Sequence, residues 1–70
     1  MFFKKKTIHD LFNESIVWTE VGDCEFNSRV DNYECNLRIN DFPDEPMYTL
    51  TYKGGAIDFD DKPSNWIVPS

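Results

Sequence analysis

Cys24-Glu25-Phe26-Asn27-Ser28-Arg29-Val30, then Asp31-Asn32, then Tyr33-Glu34-Cys35-Asn36-Leu37-Arg38-Ile39-Asn40. Each flank of the central dipeptide alternates in character, and an alternation of period two marks a half-buried strand. Asp and Asn both tolerate positive φ, so Asp31-Asn32 suits a two-residue hairpin turn. That turn fixes the register: Val30 faces Tyr33, Ser28 faces Cys35, Phe26 faces Leu37 and Cys24 faces Ile39. On the other side Arg29 meets Glu34, Asn27 meets Asn36, and Glu25 meets Arg38. One register yields an apolar face and two opposite-charge pairs, and a slip of one residue destroys both. Each pair is worth about 0.2–1 kcal/mol, so the pairs identify the register more than they stabilise it.

Outward from this hairpin, Thr7-x-x-Asp10 has the spacing of a capping box. Ile8, Leu11, Phe12 and Ser15 then follow helical periodicity, which predicts a helix over 7–15. Residues 16–21 read as a strand turning at Gly22-Asp23. In that register Val17, Thr19 and Val21 face inward, Trp18 points away from the core, and Glu20 opposes Glu25. Residues 47–53 form the next strand, with Tyr48, Leu50 and Tyr52 on one face. Gly54-Gly55 is a hairpin signal that would pair Tyr52 with Ile57 and Leu50 with Phe59. Trp66-Ile67-Val68 closes the chain as a short strand or packed tail. The expected fold is α+β, a single domain over 1–70. A basic tail (1–6) and one N-terminal helix (7–15) precede a five-stranded, mainly antiparallel meander within 16–68. The helix packs on one face of that sheet.

Size and composition narrow the function. A chain of 70 residues buries only about 60% of its unfolded surface, which leaves no room for a deep substrate cleft. Its aromatic content of 16% supplies large buried areas without metal or disulfide. In the hairpin register Cys24 and Cys35 are separated by roughly 13 Å at the usual strand rise, beyond the reach of about 7 Å that a disulfide spans. Two free, buried thiols are expected, and with them a reducing cytoplasm. The opening Met-Phe-Phe-Lys-Lys-Lys lacks the order of a signal peptide, and no apolar run reaches the ~20 residues of a membrane span.

The formal net charge is −6, and from Thr7 onward four bases stand against thirteen acids. Such a body repels nucleic acid and anionic membrane and is drawn to basic surfaces. His9 is the single histidine, and a thiol facing an apolar core is inert, so neither a Cys-His nucleophile nor a zinc site is expected. Asp58-x-Asp60-Asp61 lacks the spaced ligands of a calcium loop. Gly54-Gly55 lacks the remainder of a phosphate loop. No enzyme, metal or cofactor is expected.

What remains is a surface. Asp41, Asp44, Glu45, Asp58, Asp60 and Asp61 should share one rim, with Phe42 beside them and Trp18 as an exposed ring. The expected contact set is Trp18, Phe42, Asp44, Glu45, Asp58, Asp60 and Asp61, because acids around an aromatic anchor suit a basic cleft. In size, acidity and lack of catalytic parts the chain resembles the small immunity proteins and protein inhibitors. That resemblance implies neutralisation of a basic toxin, nuclease or nucleic-acid-binding complex. Two other readings are a phage-encoded nucleic-acid mimic that blocks a host defence complex, and an adaptor using Phe2, Phe3 and Lys4–Lys6 at membranes. An exposed edge strand could also support a homodimer.

Overall fold

The computed structural model describes residues 6–69. The fold is mostly β: a five-stranded antiparallel sheet, a short 3-10 helix and a two-stranded parallel pair. The helix spans Ile8–Asn13. Strands β1 (Ile16–Val17), β2 (Thr19–Gly22), β3 (Glu25–Val30) and β4 (Tyr33–Ile39) follow. Then come β5 (Tyr48–Tyr52), β6 (Gly55–Phe59) and β7 (Trp66–Ile67). The large sheet runs β2-β3-β4-β5-β6, and β1 pairs with β7 alone.

The central hairpin has the expected register, from Val30 opposite Tyr33 to Glu25 opposite Arg38. Asp31 and Asn32 both take positive φ (52° and 69°), as a turn matched to strand twist requires. Phe26, Val30, Cys35 and Leu37 are buried on one side. Ser28 sits among them because its hydroxyl donates to the Val17 carbonyl at 2.9 Å, which ties β1 to the sheet.

Three expectations are corrected. The helix is shorter than 7–15 and has 3-10 geometry. Three residues per turn stack Ile8 above Leu11, so one narrow edge reaches the core, and such helices stay short. Its start is fixed by the Thr7 N–H donating to the Asp10 carboxylate at 2.8 Å.

The second correction is the first hairpin. It turns at Asp23-Cys24, with a bulge between Glu20 and Gly22. Thr19 lies opposite Asn27, and Glu20 opposite Phe26. This slip of one residue removes the Glu20–Glu25 clash of like charges and inverts the faces. Trp18 is therefore 1% exposed, and Val17 and Val21 are outside. The same shift leaves Cys24 exposed in the turn, so only Cys35 is a buried thiol; both are free.

The third is the last hairpin, which turns at Lys53-Gly54 (φ 51° and 78°) and pairs Leu50 with Ile57. The shift of two residues keeps every side chain on its expected face. It also sets Tyr48 opposite Phe59, where the rings stack at 5.2 Å.

The core lies between the sheet and a layer made by the helix and the β1–β7 pair. Leu11, Ile16, Trp18 and Trp66 of that layer meet Phe26, Leu37, Leu50 and Tyr52 of the sheet. Each such side chain contributes about 1.5–3 kcal/mol on burial. Trp66 is central: its ring lies within 6 Å of Phe12, Trp18 and Phe59 (5.5, 5.2 and 5.8 Å). Its Nε1–H donates to the Leu11 carbonyl at 2.9 Å.

Residues 1–5 lie outside the described range, and with them most of the expected tail. Lys6 bonds Glu14 at 2.8 Å and approaches Asp31 at 3.5 Å. No described helix is long and apolar enough to cross a membrane.

Candidate binding surface

A meander alternates its connections between two ends of the sheet. The turns at 31–32 and 53–54 share one end. The turn at 23–24, the loop at 40–47 and the exit of β6 share the other. Nine of the thirteen carboxylates gather at that second end: Glu20, Asp23, Glu25, Asp41, Asp44, Glu45, Asp58, Asp60 and Asp61. Among the described residues Arg38 and Lys62 are the cations there. The expected rim acids are thus brought together, and three more join them from the β2–β3 hairpin. The alternation of turns was the signal for those three.

Hydrogen bonds hold the loop at 41–46 in one shape. Glu45 N–H donates to the Asp41 carbonyl (2.9 Å), Phe42 N–H to the Asn40 carbonyl (3.0 Å), and Asn40 N–H to the Met47 carbonyl (2.8 Å). The Asp41 N–H reaches the Glu45 carboxylate at 3.3 Å. The amide of Asn40 donates to the Pro46 carbonyl (3.0 Å) and to the Thr49 hydroxyl (2.8 Å). That hydroxyl donates in turn to Asp58 at 2.7 Å. Asp60 accepts the Met47 N–H at 3.1 Å, which fastens the loop to the end of β6. Phe42 stands 57% exposed on this braced loop. A large ring held out by a fixed backbone loses little entropy on docking.

Trp18 is the one expected contact residue that the structure removes from the surface. It lies in the core because the β2 bulge inverts the strand. Phe42, Asp44, Glu45, Asp58, Asp60 and Asp61 are all exposed. Asp58 lies on the open sheet face, in the row Glu25, Arg38, Thr49, Asp58. Among the described residues Arg38 forms no ion pair, whereas Arg29 and Glu34 approach to 3.9 Å in solvent, a contact worth at most about 1 kcal/mol.

The opposite end has a different character. Lys53 Nζ lies 4.4 Å from the Tyr33 ring centre and 5.2 Å from that of Tyr52. It donates to the Lys6 carbonyl at 3.2 Å. Burial pushes the Cys35 thiol above its ordinary value, with a Val30 backbone hydrogen bond opposing, so the group is a poor nucleophile. His9 is exposed on the helix. Among the described residues no His, Cys, Asp or Glu side chains gather as metal ligands would. Comparison with protein-family models, curated proteins and solved structures finds no match.

Proposed function

We propose that this chain is a small acidic binding protein without catalytic chemistry of its own. It acts as an inhibitor or immunity protein, neutralising a cationic toxin or nuclease by covering its basic cleft. The supporting observation is the gathering of nine carboxylates at the end of the sheet where the braced loop exposes Phe42. The acids steer encounter and the ring anchors the contact. Phe42, Asp44, Glu45, Asp60 and Asp61 form the centre, and Glu20, Asp23 and Glu25 extend the negative field. The free thiols of Cys24 and Cys35 support action in the reducing cytoplasm. A nucleic-acid mimic would need carboxylates repeated along one strand face. Here they come mostly from separate connections, which favours the inhibitor reading.

Capture of the cationic partner at low salt, followed by association kinetics, tests this. The on-rate should fall at least tenfold between low and physiological salt. Phe42→Ala should weaken binding by about 2 kcal/mol or more, mainly through faster dissociation. An on-rate indifferent to salt would remove the basis of the proposal.

A further inference from the structure

The geometry points to β6 as the docking edge. We infer that it takes up an extended basic segment of the partner as a sixth, antiparallel strand. This rests on the reading of a cationic partner given above and names how that partner is held. β6 is the outermost strand of the large sheet. Tyr52 and Gly55 flank the two-residue turn, so that pair exchanges the close hydrogen bonds, and Gly55, Ile57 and Phe59 direct their backbone groups toward β5. Ala56 and Asp58 then direct theirs outward, where no described backbone group meets them. An open row of donors and acceptors is a template for one more strand. The other edge, β2, has four residues and carries the bulge, which blunts it.

Side chains select the occupant. Asp58 extends on the open face of the sheet, Asp60 follows just past the end of β6, and half-buried Ile57 and Phe59 border the core on the other face. In antiparallel pairing, residues that bond to Ala56 and Asp58 place their side chains on the open face too. A fitting segment therefore alternates Lys or Arg, opposite the aspartates, with apolar residues that extend the core past Ile57 and Phe59. A second copy does not fit: antiparallel pairing of two β6 edges brings Asp58 opposite or diagonal to its own copy, and like charges repel there.

The test titrates the isotope-labelled full chain, at low salt, with a short capped peptide alternating lysine and valine. The amides of Ala56 and Asp58 should exchange at least tenfold more slowly in its presence. N-methylating the lysine residues should weaken binding about tenfold or more, because those carry the bonding N–H groups. N-methylating the valines should change it little. Ala56→Pro removes an outward donor without touching the β5 ladder, and it should fold and lose the peptide. Two results overturn strand addition. If all the peptides bind alike, with responses spread over the acidic end, attraction is by charge alone; the cationic-partner reading then survives. If no peptide slows exchange at Ala56 and Asp58 while the captured partner still needs Phe42, the partner docks on the loop and β6 has no part.

Discussion

The two tryptophans differ in a single hydrogen bond. Trp66 donates its indole N–H to the Leu11 carbonyl, whereas the Trp18 N–H is buried with no acceptor among the described residues. Both are almost fully covered, and their rings meet at 5.2 Å. Replacing either with Phe leaves a similar void, so the cavity costs nearly cancel in the comparison. Trp66→Phe also removes one of the two hydrogen bonds that the Leu11 carbonyl accepts, the other coming from the Glu14 N–H at 3.1 Å, while Trp18→Phe discards a donor that has no described acceptor. Trp66→Phe should therefore cost about 1 kcal/mol more than Trp18→Phe in urea unfolding, and equal costs would argue against this account. The sequence could not place Trp18, because burial in a strand depends on parity and one extra residue reverses it. A clue was present all the same: the register that exposed Trp18 also set Glu20 against Glu25, and the bulge resolves both.

At the scale of elements, the hairpins differ in how much of them their sequences determine. Asp31-Asn32 is flanked by alternation on both sides, and charge and apolarity agree on one register. Lys53-Gly54-Gly55 offers two possible turns, and both keep the same faces inward. Local chemistry cannot choose between them; the stacking of Tyr48 on Phe59 favours the one observed. Gly54 has φ +78° and open space around a would-be Cβ, so Gly54→Ala should cost about 1 kcal/mol from backbone strain alone. A Cβ at Gly55 meets only the Tyr52 carbonyl at an ordinary 3.6 Å. Gly55→Ala should be neutral, or stabilising by up to about 1 kcal/mol through the unfolded chain. The opposite order in a thermal melt would restore the turn at Gly54-Gly55. The helix was legible from its cap and its apolar residues, but an amphipathic pattern of six residues is too short to separate 3.6 from 3 per turn.

At the scale of the molecule, charge and titration divide between the two ends of the large sheet. The carboxylate-rich end was partly visible in the sequence through the loop at 41–46 and the run at 58–61. Its full extent required the topology. At the other end, three groups have pKa values above their ordinary 9.0, 10.0 and 10.5: Cys35 and Tyr52 because burial disfavours their anions, Lys6 because Glu14 and Asp31 hold its cation. All three values are higher folded than unfolded. Their stabilising contribution is complete below about pH 9 and is lost as pH rises through the raised values. Unfolding free energy should thus be flat from neutral pH to about pH 9 and then decline. Cys35→Ala should delay the onset of that decline, and a curve that rises with alkali would contradict the assignment. The parallel pairing of β1 with β7 has a consequence for biosynthesis. Trp66 is synthesised after every strand of the large sheet, yet Leu11, Phe12 and Trp18 wait on it for their packing. The sheet can zip up during translation, but its cover can settle only after β7 has emerged.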